Sequence, residues 1–286
     1  MEEKKRISAF AQWKEFTVEY FQIMMGDKKN LIISLLFPVL AVCIIVFIAG
    51  NDFFVNYEGT KSGNFVFVSA AIWGGLFNSI QVIVKDRKRI KRNYMSGARI
   101  GSYTLSRAVL QLVLCLVQSL ILIFGYVGVE KIKGNSMPAE GLLRDSVLLE
   151  YFVSVFLVMY AADTLGILIS CIVKKAESAN VMAPYILIVQ LIFSGILFEL
   201  KGATSIISKL MISSWGMEAL GSISRLNEIN LKIQETVPSV PHEFEDKFYS
   251  SGEHLLLTWI ILLSFCIVCI FIGNLLLHRV SKDTRE

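Results

Sequence analysis

Six apolar runs, each long enough to cross a bilayer, constrain this chain more than any other feature. They fall at Leu31–Ala49, Phe65–Val84, Ala108–Val129, Val147–Val173, Val181–Phe198 and Leu255–Leu277. A helix rises about 1.5 Å per residue, so about 20 residues cross a hydrocarbon core about 30 Å thick. Backbone polar groups find no water there, and a helix satisfies them within one segment. The expected fold is all-α integral membrane, with six transmembrane helices. Val147–Val173 is longer than needed and is expected to tilt, bend or extend beyond the membrane. Composition agrees. With 54% hydrophobic residues and a mean hydropathy of +0.59 over 286 residues, the chain carries more apolar surface than a soluble domain of this length requires.

Charge then sets the orientation. Between the second and third runs lies Lys85–Arg107, the densest positive stretch, with eight Lys or Arg. A loop that basic between two spans stays on the cytoplasmic side. With both termini on that side, 19 of the 28 Lys and Arg are cytoplasmic. The net charge of +4 is therefore a topology signal, and no nucleic-acid partner is expected. No signal peptide is expected either, since the first run follows thirty polar or amphipathic residues. The chain divides into residues 1–30, an interfacial unit, and residues 31–286, the six-span domain. That domain includes the loop 85–107 and an outer loop at 201–252.

Residues 8–27 read as an amphipathic helix. Phe10, Trp13, Phe16, Val18, Tyr20, Ile23 and Met24 fall near helical spacing, with Lys14, Glu15 and Glu19 between them. Ser8 is a candidate N-cap and Gly26 a candidate end. Such a helix lies in the inner interface, either as an anchor alone or in contact with a partner. In the outer loop, Ile206–Leu220 is too apolar for a linker and is expected to return partly into the membrane's outer edge, between spans five and six. Pro184 opens the fifth span, where a proline costs little.

Polar residues inside spans are the candidate functional positions. Asn78 and Gln81 share one face of the second span and Gln111 and Gln118 one face of the third; interhelical hydrogen bonding is one use, cavity lining another. In Trp73-Gly74-Gly75 the small residues allow close helix approach. Asp163 is the most unusual, a carboxyl group about 16 Å from the inner end of its span. No Lys, Arg or His lies deep in any run to pair with it, so it is protonated, reaches water, or meets backbone donors.

Several chemistries have no footing here. There is no GxxxxGK[ST] phosphate loop and no HExxH. None of His242, His254 and His278 lies mid-span. The acidic stretch His242–Asp246 reads as a solvated loop rather than a metal site. The five cysteines lie in or at the ends of spans, and Cys266 and Cys269, a CxxC within an apolar helix, read as packing. Neither catalysis nor a cofactor is expected on this chain.

Three motifs carry a family resemblance. Val84-Lys85-Asp86-Arg87, then Tyr94-Met95-Ser96-Gly97, then Ile100-Gly101-Ser102-Tyr103 and Arg107, resemble the coupling region of ABC exporters of the G-subfamily type. Those are the white and multidrug transporters, within the type-2 permease superfamily. Ile192-Phe193-Ser194-Gly195-Ile196-Leu197-Phe198 is similar to that family's fifth-span signature. Trp215-Gly216-Met217-Glu218-Ala219-Leu220 is similar to the turn after its re-entrant outer helices, and residues 8–27 correspond to its connecting helix. Asn93 stands where the family usually has an acidic residue. The family's ATPase domain ahead of the connecting helix has no counterpart, nor do the cysteines often found in its last outer loop.

The resemblance implies the permease subunit of an exporter in a prokaryotic plasma membrane. It would form a dimer with a second copy or homologue, sit among membrane lipid, and be driven by separate cytoplasmic ABC ATPase subunits that hold ATP and Mg. It assigns coupling to Asp86, Arg87, Arg89, Arg92, Tyr94, Ser96 and Gly97, with Trp13 and Phe16 from the interfacial helix. Ile196 and Leu197 would form an outer plug. Span position and polarity add Trp73, Phe77, Asn78, Gln81 and Gln190 as cavity candidates. The alternative is a non-transporting scaffold or sensor that holds a cytoplasmic partner or anionic lipid through the basic loop.

Overall fold

The computed structural model describes residues 8–49, 54, 56–133, 141–143, 146–198, 200–236 and 244–279. Among these there is no strand. Eleven helices follow in order: α1 (Ala9–Gly26), α2 (Lys28–Ala49), α3 (Tyr57–Ser79), α4 (Arg87–Met95), α5 (Ile100–Lys133), α6 (Val147–Ile172), α7 (Ala176–Ile192), α8 (Ala203–Ser208), α9 (Ile212–Ile223), α10 (Leu226–Thr236) and α11 (Gly252–Leu277). Four contain stretches long and apolar enough to cross a membrane: Lys28–Phe47, Ile100–Val129, Val147–Ile172 and Gly252–Leu277. The shorter α7 is also apolar. α3 has 23 residues, but Glu58, Lys61 and Asn64 dilute its apolar character.

Local chemistry starts the helices. Ser8 caps α1, its hydroxyl accepting from the Ala11 N–H at 3.2 Å, and Asn56 caps α3 by accepting from Glu58 at 3.3 Å. Ser146 and Ser251 do the same for α6 and α11. Each cap satisfies a donor that the first helical turn leaves unpaired.

The centre of the fold is the contact between α3 and α6. A methyl group added at Gly75 would lie 2.0 Å from the Met159 carbonyl oxygen. One added at Gly166 would lie 2.2 Å from Ser79 Oγ and 3.0 Å from the Leu76 carbonyl. The two backbones touch at these glycines, the close approach that small residues permit between membrane helices. α6 is the most enclosed of the long helices, and α5, α9 and α11 pack around it.

Several boundaries differ from the sequence expectation. The second apolar run reaches Val84, yet α3 ends at Ser79. The reason is tertiary: Ser170 Oγ, from α6, accepts from both the Ile83 and Val84 N–H groups at 3.0 Å each. The chain then turns into α4. α5 starts eight residues ahead of the expected Ala108, and α7 starts at Ala176. Pro184 is thus interior to α7 rather than at its opening. It leaves the Asn180 carbonyl without the usual helical donor. Pro38 likewise lies inside α2.

Candidate functional site

Two polar clusters flank the α3–α6 pair, one beside α4 and one beside the turn that follows α7. The first centres on Arg107, in the second turn of α5 and fully buried at 0% exposure. Its guanidinium carbon lies 4.0 Å from the Tyr20 ring centre and 4.4 Å from that of Tyr103. Nη2 donates to Asp86 Oδ2 at 3.1 Å and to the Tyr103 hydroxyl at 3.0 Å. The same Asp86 oxygen accepts from Tyr103 at 2.9 Å and from Arg89 at 2.6 Å. Arg89 also reaches Glu19 on α1 at 2.9 Å. The Asp86 carboxylate therefore joins α4 to α5, Arg89 and the Tyr20 ring bring in α1, and the cation gains from both rings.

The predicted coupling residues divide into two groups around this cluster. Asp86, Arg87, Arg89 and Phe16 turn inward. Arg87 donates to the Val173 carbonyl, tying α4 to the end of α6. Phe16 meets Tyr103 edge to face at 5.6 Å. Arg92, Ser96 and Gly97 are exposed, together with Lys88 and with Met95 at 74%. Gly97 has φ of +95°, which a side chain would strain. Trp13 and Tyr94 are half-buried between these groups.

The cavity candidates do not converge on one space. Trp73 and Phe77 stack on α3 with centroids 5.4 Å apart and are each more than 40% exposed. Asn78 instead accepts from Ser34 of α2 at 2.8 Å and is bonded to Gln118 of α5. Gln111 donates to the Tyr20 hydroxyl at 2.9 Å. Gln81 donates to Asn180 of α7. Gln190, nearly buried, accepts from the Ser213 N–H at 3.1 Å and holds α9 against α7. Asp163 is fully buried. Its main-chain carbonyl accepts from Ser79 at 2.6 Å, and neither carboxyl oxygen has a hydrogen-bond partner among the described residues.

The second cluster sits beside Ile196 and Leu197. These neighbours part company: Ile196 packs beside Tyr57, Leu226 and Phe248, whereas Leu197 is 53% exposed. Gly195, with φ of +75°, makes the turn possible. Lys247 Nζ donates to the Gly195 carbonyl at 3.0 Å and pairs with Glu245 at 2.6 Å. The other Glu245 oxygen pairs with Lys61 at 2.8 Å and accepts from the Tyr57 hydroxyl. Burial alone would raise the Glu245 pKa, but hydrogen bonds from Lys247, Lys61 and Tyr57 outweigh it and take it down to about 2. Glu245 is therefore no part of a solvated acidic loop, while His242 lies outside the described residues. No metal-binding group of three appears among the described residues.

Lys61, Glu245 and Lys247 carry no role in the sequence reading, and Arg107 and Tyr20 enter it only as the last residue of the coupling motif and as part of the amphipathic face. One signal was present for Arg107: an arginine four residues after a tyrosine, at the mouth of an apolar run. Glu245 and Lys61 are 184 residues apart, and nothing local links them.

No curated protein matches the chain. The family model described as ABC-2 type transporter matches residues 11–223, from α1 through the end of α9. That span takes in the Arg107 cluster, the α3–α6 contact and the turn at Gly195. It is a permease domain, not an ATPase domain, of a kind that associates with ABC ATPases. The chain is a membrane-integral permease subunit and belongs to the ABC-2 type transporter family.

Proposed function

We propose that this permease is the transmembrane half of an exporter of the G-subfamily kind, dimeric, with six spans and both termini cytoplasmic. It carries a hydrophobic or amphipathic substrate, and separate ATPase chains supply ATP and Mg. The observation that carries the reading is the two-faced character of α4. One side is fastened through Ile90, Arg89 and Asp86 to α1 and α5. The other side offers Lys88, Arg92, Met95 and Ser96 free of the bundle surface. A helix built this way receives a push on its outer face and delivers it to α5 through the buried Arg107 and to α6 through Arg87.

On this reading, closure of the ATPase pair moves α4 and α1 together. Asp86 and Arg107 pass the displacement to α5, and Arg87 passes it to α6. Because α3 rides on α6 at Gly75 and Gly166, the stacked Trp73 and Phe77 move with them. Their exposed faces suit a second permease copy or an apolar substrate. The turn at Ile196 and Leu197 is the outer closure, and α8 and α9 form the re-entrant segment beside it.

The test is to purify the tagged chain from its native membrane in mild detergent and identify what accompanies it. A stoichiometric ATPase with a phosphate loop is expected. Its ATP hydrolysis should change when Ile196→Trp blocks the outer turn. An absent ATPase, even with ATP and vanadate present to trap the closed state, would move the assignment to a scaffold that holds some other cytoplasmic partner.

A further inference from the structure

A cavity of about 780 Å3 lies apart from both polar clusters, between the first half of α1, the α4–α5 turn, the start of α5 and the last turn of α11. Its apolar wall is made by Phe10, Trp13, Tyr94 and Leu105, and among the described residues its charged or chargeable lining is Arg99 and His278, with no Asp or Glu. We propose that this groove is a binding site for an anionic glycerophospholipid of the inner leaflet. The phosphate would meet Arg99 and the upper acyl segment would lie along Phe10, Trp13 and Leu105.

Depth supports this occupant. The groove reaches Asn274 and His278 at the end of the candidate span Gly252–Leu277, and Ile100 at the start of Ile100–Val129. On the proposed orientation both ends lie at the inner face, with Ile100 on the headgroup side of the hydrocarbon boundary because Ile100–Val129 is longer than the core requires. Trp and Tyr favour that level because one part of each ring system is apolar and the other polar. Charge supports it as well. A cavity whose described lining holds the basic side chain of Arg99 and no carboxylate suits an anion and repels a free cation. Leu105 is 49% exposed and Phe10 71%, and an acyl chain would cover both. The inner-leaflet assignment rests on the orientation given under the proposed function, whereas the lipid contact itself does not depend on transport.

The experiment uses the full chain purified in mild detergent, with phosphatidylglycerol and phosphatidylcholine titrated in and counted by native mass spectrometry. Wild-type chain should retain phosphatidylglycerol in preference to phosphatidylcholine. Arg99→Gln should weaken phosphatidylglycerol retention about fivefold, the effect of one basic side chain at an anionic membrane surface, and leave phosphatidylcholine unchanged. Leu105→Trp, which fills the apolar end, should reduce retention of both. Glycerol phosphate, with the charge and no chains, should not compete. Equal retention by wild type and both variants would overturn the proposal, and so would displacement by glycerol phosphate. If phosphatidylglycerol is lost whenever the ATPase is bound, the groove belongs to the ATPase contact and the lipid proposal falls, while the permease reading stands. If no ATPase co-purifies yet the lipid pattern holds, the exporter reading fails and the lipid site stands.

Discussion

The Arg107 cluster and the Glu245 cluster solve opposite problems with the same kinds of group. Around Arg107 one planar cation is clamped between Tyr20 and Tyr103 and bonded to one carboxylate, Asp86. Around Glu245 one carboxylate is shared by two lysines, Lys61 and Lys247, each a compact charge on a flexible stem. Arginine stacking fixes direction as well as distance, whereas a lysine holds its partner from many positions. The Lys61, Lys247 and Glu245 side chains also keep 19%, 31% and 25% exposure, against 0% for Arg107. The first arrangement resists a change of angle and suits the passing of a displacement. The second can let go and reform, which suits a closure that opens.

The largest expected effect is at the rigid cluster. Arg107→Ala empties a fully buried site between two rings and leaves Asp86 to Arg89 and Tyr103, at a cost of about 2–5 kcal/mol, read as a lower unfolding temperature in detergent. Arg107→Lys keeps the charge and loses the planar stack. It should insert and bind the ATPase yet fail to alter ATP hydrolysis. Wild-type coupling in that variant would break the contrast, because any cation would then serve.

Gly75→Ala acts on the lever between the clusters. With 2.0 Å to the Met159 carbonyl, the added methyl forces α3 from α6 and should cost about 3 kcal/mol, the upper end of overpacking penalties. Crosslinking between cysteines placed on the two helices checks the separation.

Acid sharpens the comparison at the outer cluster. The Glu245 pKa is about 2 in the folded chain against an ordinary value of 4.5. The unfolded chain therefore takes up the proton first as pH falls. The Glu245 contribution is complete above about pH 4.5 and is lost progressively as pH falls to about 2. Unfolding of the wild type should steepen across that window by on the order of 2 kcal/mol, and Glu245→Gln should flatten the profile there. An unchanged slope would mean that the lysines do not hold this carboxylate.

The smallest effect belongs to Lys247→Met. Lys61 still holds Glu245, so the stability loss should be about 0.5–1 kcal/mol. Hydrogen exchange should nonetheless rise around the Gly195 turn, whose carbonyl loses its donor. Exchange that rises equally around Arg107 would show that the two clusters do not act separately.

What was legible in the chain was whatever depends on neighbours in sequence. Four of the apolar runs lie in helices long and apolar enough to span, the fifth gives the shorter α7 ending at Ile192, the basic stretch gives α4 and the start of α5, and Trp215–Leu220 is part of α9. Ser8 and Gly26 bound α1 as their caps suggested. What was hidden depends on residues far apart. α3 stops at Ser79 because of a hydroxyl on α6, 91 residues later in the numbering. Arg107 is buried because Tyr20 and Tyr103, from different helices, close on it. Asn78 and Gln190 looked like cavity residues from polarity, yet their carboxamides are committed to Ser34, Gln118 and Ser213. Polarity within a span marks a need for a partner, and sequence does not say whether that partner is substrate or protein.

The hydroxyl of Ser170 has a consequence for angle. Between Ser79 and Arg87 the chain is pinned twice to the end of α6, by Ser170 at Ile83 and Val84 and by the Val173 carbonyl at Arg87. The rotational phase of α4 is therefore inherited from α6 and not from the helix that precedes it. One residue added between Arg87 and Arg92 would turn the rest of α4 by about 100°, swinging Arg92 and Met95 to a different bearing. Substitutions along α4 change how strongly it is gripped, whereas a change in its length changes where it points.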